Sequence, residues 1–176
     1  GAVFDRDIEP GEIVEISENG VISHGIEASE RKAFCMFEYV YFARADAKMD
    51  GVLAYSVRHR LGRRLWKEHP VEADVVIAVP DSGTAFALGY SEASGIPYRE
   101  GFIKNRYVGR SFIQPDDDKR KNTVNEKMNA VGDLLDGKSV VVEDDSVVRG
   151  NTSRKIVSRL RKAGAREVHF RVGCPP

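Results

Sequence analysis

The stretch Val140 to Ser153, VVVEDDSVVRGNTS, constrains the fold more than any other part of the sequence. A β-branched run meets acidic side chains, and a polar loop containing Ser, Arg, Gly and Thr then opens a helical pattern. Asp144 and Asp145 fall where the strand should end. Their carboxylates can accept hydrogen bonds from vicinal hydroxyls or hold a hard divalent cation through oxygen. The residues behind them supply donors. Ser146 to Ser153 offer backbone N–H groups at a helix N-terminus, hydroxyls from Ser146, Thr152 and Ser153, and the fixed charge of Arg149, all suited to a phosphate monoester. A plain strand followed by a capped helix would account for the hydroxyls but not for the paired carboxylates.

Strand and helix signals alternate through the rest of the chain. Asp74 to Val79, Tyr98 to Ile103, Lys138 to Val142 and Glu167 to Val172 read as strands. Val52 to His69, with Leu53, Val57, Leu61 and Leu65 at fourfold spacing, reads as a helix whose Arg58, Arg60, Arg63, Arg64 and Lys67 form a solvated face. Thr84 to Ala93 and the segment around Ile156, Val157 and Leu160 are two more helices. This alternation predicts an α/β fold with a mostly parallel twisted sheet, helices on both faces and ligands at the carboxyl ends of the strands. Gly1 to Gly20 reads instead as two short strands with turns at Pro10-Gly11 and Asn19-Gly20, too little to bury a core of its own.

Two further segments can carry chemistry. Val79-Pro80-Asp81-Ser82-Gly83 follows the first core strand, where Pro and Gly let the backbone turn sharply and present N–H groups to an anion. Taken alone it reads more readily as a strand-to-helix turn capped by Asp81 or Ser82. Lys104 to Lys127 is a long polar stretch with two basic clusters separated by PDDDK; a loop of that length without periodicity is either mobile or functional.

The acidic motif resembles the phosphoribosyl pyrophosphate (PRPP) site of the type I phosphoribosyltransferases. Together with CMFEYVYFARAD at Cys35 to Asp46, ADVVIAVPDSG at Ala73 to Gly83, GFIKNRYVGRSFIQP at Gly101 to Pro115 and AGAREVHFRVGCPP at Ala163 to Pro176, it resembles the glutamine PRPP amidotransferases in particular, in order and spacing. KNRYVGR is the most specific of these elements. The resemblance implies a type I phosphoribosyltransferase fold over residues 34–176. Residues 1–33 would be the tail of a glutaminase domain and a linker, so the expectation is a fragment, short at its C-terminal end as well.

By the same resemblance the activity is transfer of glutamine-derived ammonia to PRPP, giving phosphoribosylamine and pyrophosphate at the entry to purine synthesis. Asp144 and Asp145 would position the ribose hydroxyls and hold Mg2+. The loop Ser146, Val147, Val148, Arg149, Gly150, Asn151, Thr152 and Ser153 would bind the 5-phosphate, and Asp81, Ser82 and Gly83 the pyrophosphate. Lys104, Tyr107 and Arg110 would close over the leaving group, with Arg106, Arg120 and Lys127 adding positive charge and Gly109 a bend. Purine nucleotides would be feedback inhibitors and the full-length enzyme a homo-oligomer. Some members hold an iron-sulfur cluster through cysteines, one matching Cys35, for which a buried, metal-free side chain is the expectation.

Several positions depart from that pattern. Glu143 stands where a hydrophobic residue is usual, and crowding three carboxylates should raise at least one pKa. Gly83 replaces a serine associated with magnesium, Ala45 and Ala47 replace proline and serine, and Asn151 replaces a frequent threonine. Two other readings stay open: a phosphoribosyltransferase acting on a nucleobase, and a nonenzymatic module that senses PRPP or a nucleotide.

Composition excludes other classes of partner. The 27 basic and 27 acidic residues cancel, so electrostatics predicts neither nucleic-acid nor anionic-membrane binding. No apolar stretch is long enough to cross a bilayer and no secretory signal opens the sequence, which points to a cytoplasmic protein. Two cysteines suggest no disulfide framework, and the four histidines show no paired metal-ligand spacing.

Overall fold

The computed structural model describes residues 3–25, 33–104 and 128–174, which divide into two compact units, Gly1–Cys35 and Met36–Pro176. The first unit is a hairpin of β1 (Ile13–Ser17) and β2 (Gly20–His24), paired antiparallel from Ile13 opposite His24 to Ser17 opposite Gly20. Its two-residue turn is therefore Glu18-Asn19, one position before the Asn-Gly expected from the sequence. Gly20 opens β2 at φ 114°, a conformation that a side chain would resist.

The second unit is built on a three-stranded parallel sheet. Strands β5 (Val75–Ala78), β8 (Ser139–Asp144) and β9 (Glu167–Val172) lie in the order β5-β8-β9. Because side chains alternate across a strand, Val75, Ile77, Val140 and Val142 face one way, onto Phe102, Leu135, Ile156, Leu160 and Ala165. Val76, Ala78 and Val141 face the other way, onto Ala87 and Tyr90, with Leu65 and Trp66 behind them. Burial on both faces explains why these strands read as unbroken apolar runs. The covering helices are α1 (Ala54–Glu68) and α2 (Thr84–Ser94) on one side and α4 (Asn151–Lys162) on the other, with a short α3 at Gly132–Leu135.

Three sequence expectations need correction. Among the described residues, the strand expected at Tyr98 to Ile103 pairs with the sheet through one parallel bridge, Val76 to Tyr98. The chain then turns at Gly101, and β6 (Phe102–Lys104) pairs antiparallel with β7 (Met128–Ala130). A Cβ on Gly101 would stand 2.6 Å from Ile77, so the turn is pressed against the sheet.

The helix expected from Val52 begins two residues later. Val52–Leu53 is β4, joined to β3 (Lys48–Met49) by Asp50-Gly51, both at positive φ. Asp-Gly between short strands is a hairpin signal that the helical pattern obscured.

The buried line of α1 is Ala54, Arg58 and Gly62, not the leucines, since Leu53 is exposed and Leu61 and Leu65 are only half-buried. Gly62 lies against the Phe86 carbonyl of α2 and Gly89 against the His59 carbonyl of α1, at distances that leave no room for a Cβ. Backbone meets backbone at this crossing, so small residues face the partner helix and the larger ones are displaced to its flanks. Arg58 is buried with them, against its expected place on a solvated face.

Candidate functional site

The parallel register sets Ala78 beside Glu143, so β5 and β8 end together and their loops emerge side by side. The Val79 amide donates to the Glu143 carbonyl at 2.8 Å, continuing the ladder one residue past the strand. Gly83 packs onto the same carbonyl, where a Cβ would come within 2.4 Å. That close approach accounts for glycine at this position, where the family resemblance suggests a serine.

Asp144 and Asp145 are both buried at the end of β8. The Asp145 amide donates to Asp144 Oδ1 at 2.9 Å, and the Ser146 hydroxyl donates to Asp145 Oδ1 at 2.7 Å. Their carbonyls accept from the Gly173 and Cys174 amides beyond β9, which fixes the backbone beneath the carboxylates. Burial first, and the neighbouring Asp145 carboxylate second, push Asp144 up to about 6, while the Asp145 amide pulls the other way.

Glu143 is buried still further and points to the opposite face. Alternation along β8 places it with Val141 on the α1 and α2 side, and its register partner on β9 is Arg171. Neither carboxyl oxygen has a hydrogen-bond partner, and burial pushes the group up to about 8, with the Arg171 charge opposing. The raised pKa expected from three crowded carboxylates is therefore present, but its main cause is burial.

Residues 144–153 bound one cavity of about 470 Å³, completed by Val79, Ser82 and Tyr41. Its far side is the start of α4, where Gly150 sits at φ 70° and accepts from the Ser153 hydroxyl at 3.0 Å and from the Arg154 amide. A left-handed glycine lets the loop turn into the helix so that the first-turn amides face the opening. Arg149, Asn151 and Thr152 are exposed at its rim. The arrangement brings paired carboxylates and hydrogen-bond donors to one cavity, a combination suited to a phosphorylated, polyhydroxylated group.

The structure thus gathers Ser82, Asp144, Asp145 and all of Ser146 to Ser153 around one opening. Asp81 and Gly83 adjoin it without lining it. Asp81 is exposed and accepts from Lys104 Nζ at 2.7 Å, so the basic stretch begins directly at the Val79–Gly83 loop. Tyr107 and Arg110, with Arg106, Gly109, Arg120 and Lys127, lie outside the described residues. Cys35 is exposed, not buried as expected, because it precedes Val40, the first core residue of its stretch.

Tyr41 is a lining residue to which the sequence gave no role, and Val79 lines the cavity at the head of its loop. Tyr41 sits in a π-helical turn, Glu38–Phe42, closed by the Ala43 amide on the Glu38 carbonyl. Its aromatic run gave no periodicity from which the turn could be read.

No family model matches the chain. It is 56% identical to the amidophosphoribosyltransferase of Methanocaldococcus jannaschii over 189 residues, covering 99% of the chain and 40% of that relative. It is 51% identical to the Synechocystis enzyme of the same name, over all of the chain and 36% of the relative. Among solved structures, an allosteric regulatory enzyme of purine biosynthesis superimposes with a TM-score of 0.83 at 50% identity, over 97% of the chain and 37% of that structure. The glutamine PRPP amidotransferase of Bacillus subtilis, complexed with ADP and GMP, does so with a TM-score of 0.82 at 50% identity, over 97% and 38%. The chain therefore spans 36 to 40% of the length of these curated relatives. With identity of this level along its whole length and the fold superimposed, the chain belongs to the amidophosphoribosyltransferase family.

Proposed function

We propose that this chain carries the PRPP- and ammonia-binding part of an amidophosphoribosyltransferase. The observation that carries the reading is the single cavity in which Asp144 and Asp145 face the amides and hydroxyls of Ser146 to Ser153, beside the Val79–Gly83 loop. Asp144 and Asp145 accept hydrogen bonds from the ribose hydroxyls. The N-terminal amides of α4, with Thr152, Ser153 and Arg149, hold the 5-phosphate. Asp81, Ser82 and Gly83 hold the pyrophosphate, and Lys104, already beside Asp81, supplies positive charge to it as it departs. Tyr107 and Arg110 complete the closure over the leaving group.

Displacement at the anomeric carbon leaves negative charge on pyrophosphate and positive character on the ribose. Groups that recognise this separation serve the reaction best: Lys104 stands at the pyrophosphate loop, and Asp144 and Asp145 act on the ribose. Neutral ammonia needs no base to act as nucleophile. Water is the competing nucleophile, so the reaction is served by keeping it from the anomeric carbon.

The donor set fits magnesium. Asp144 and Asp145 offer carboxylate oxygens, and among the described residues no group of three or more His, Cys, Asp or Glu side chains could hold an ion unaided. A hard cation shared with substrate oxygens matches two carboxylates at an open cavity, and its chemistry would be to neutralise the leaving group. Purine nucleotides are the candidate regulators, consistent with the ADP and GMP complex of the Bacillus subtilis relative. A cytoplasmic location and a homo-oligomeric parent enzyme complete the reading; among the described residues no helix is long and apolar enough to cross a membrane.

The test is pyrophosphate release from PRPP with ammonium, glutamine or free nucleobases as the second substrate. Turnover that rises with free ammonia and ignores nucleobases is expected. Turnover with a base would assign the site to a nucleobase transferase, and tight PRPP binding without turnover would make it a sensor.

A further inference from the structure

Arg58 is a charged residue that the helical pattern assigns to solvent and the structure buries, with 4% of its surface exposed. Its guanidinium works as a fork. Nε donates to the Tyr39 carbonyl at 2.7 Å and Nη2 to the Ala43 carbonyl at 2.6 Å. These acceptors bracket the turn that carries Tyr41 to the cavity wall. Just downstream, the Tyr55 amide donates to the Ala45 carbonyl and the Ala54 amide to the Ala47 carbonyl, so the start of α1 holds the continuation of the same segment.

The guanidinium also lies within electrostatic reach of Asp145, which lines the same cavity as Tyr41: burial lowers its pKa, and the Asp145 carboxylate acts in the opposite sense. Burying a charge in a helix crossing is costly, and an apolar residue of similar volume would fill the space at less cost. A planar guanidinium holds two backbone acceptors from two nitrogens in fixed geometry, whereas an ammonium would have to reach both from a single nitrogen on a flexible stem.

We propose that Arg58 is a positioning residue of the phosphoribosyl site: its fork fixes the Tyr39–Ala43 turn to α1, so that Tyr41 forms the wall of the cavity facing Asp145 and the Ser146–Ser153 loop. This assignment rests on the PRPP reading above. Arg58 reaches the ligand through Tyr41 and the turn, without touching it.

The experiment is calorimetric titration with PRPP and magnesium of the wild-type chain, Arg58→Lys, Arg58→Gln, Tyr41→Ala and the Arg58→Lys, Tyr41→Ala double variant, each with a melting curve. Wild-type binding is read first. Its absence removes the PRPP reading and takes the Arg58 assignment down with it. Given that binding, folded Arg58→Lys is expected to bind PRPP on the order of tenfold more weakly despite keeping its charge, because a single flexible ammonium does not reproduce the rigid two-nitrogen fork. On the Tyr41→Ala background the same change should cost no more than about twofold, since the wall that Arg58 positions is already gone. Folded Lys and Gln variants that bind like the wild type would overturn the proposal. So would an equal loss on both backgrounds, or failure of both single variants to fold, which would make Arg58 a residue of stability alone.

Discussion

Glu12 and Glu143 show how differently the two units are held. In the hairpin unit, Glu12 sits among donors: both Arg6 terminal nitrogens at 2.8 and 2.7 Å, the Glu9 amide at 2.8 Å, and the Ser23 hydroxyl. Its hydrogen bond with Arg6, then those with Ser23 and Glu9, hold its carboxyl down to about 2. In the sheet unit, Glu143 has no donor and burial drives it up to about 8. The glycines divide the same way. Gly20 of the hairpin is needed for its backbone angle and has nothing within 4 Å, whereas Gly62 of α1 has an ordinary angle and no space. One unit is organised by local polar contacts and turn geometry, the other by exclusion of water and volume. A site that must hold carboxylates away from solvent can be built only on the second.

The largest expected effect sharpens the contrast between glycines. Gly62→Ala or Gly89→Ala would bring a Cβ within 1.9 or 2.0 Å of a backbone carbonyl oxygen, so the helices must separate. A loss of about 3 kcal/mol or more in urea unfolding is expected. Gly20→Ala should strain only its own turn, by about 1 kcal/mol. Equal losses at the two kinds of site would break the distinction.

Next in size is the double change Asp144→Asn and Asp145→Asn, which keeps shape and removes charge. It should weaken PRPP binding in the presence of magnesium by on the order of a hundredfold in calorimetry, with little change in melting temperature. Unchanged affinity would remove the ribose assignment.

The third test concerns Glu143 and pH. The unfolded chain releases this proton near the ordinary 4.5, while the folded chain retains it to about 8. The folded state then binds more protons over that window, so stability falls as pH rises through it, by at most about 1.4 kcal/mol per pH unit. Glu143→Gln should flatten the curve of unfolding free energy between pH 5 and pH 8. Parallel curves for variant and wild type would show that burial does not control this carboxyl.

Glu12 gives the smallest effect, with the opposite sign. Its depressed pKa makes its contribution complete above the ordinary 4.5 and lost as pH falls toward 2. Hydrogen-exchange protection of the hairpin amides should fall across that window in the wild type and be low throughout in Glu12→Gln. Protection independent of pH in the wild type would mean that the Arg6 and Ser23 contacts do not hold the hairpin.

Much of this is legible in the amino-acid sequence. The apolar runs at Val75–Ala78 and Val140–Val142, the acidic pair and the Ser146–Ser153 loop are contiguous in sequence, so local pattern was enough to place them on a strand end and a helix start. The hairpin turn, at Glu18-Asn19, lies one residue from the expected Asn-Gly because hairpin register is set by strand pairing as well as by turn residues. Arg58 and Tyr41 were not legible as site residues. An arginine among four other basic residues on a helix looks solvated until the carbonyls of a π-helical turn take up its donors.

The sequence by itself determined which residues offer charge, hydroxyls and amides, because those properties belong to each residue and to its immediate neighbours. Only the tertiary structure decided that Asp144 and Asp145 are buried while Asp81 is exposed and paired with Lys104, that Glu143 turns away from the cavity, and that Tyr41 comes to its wall. The reason is that burial and facing depend on strand register and helix crossing, which join residues such as Val79 and Glu143, or Arg58 and Ala43, that are distant along the chain and adjacent only when it is packed.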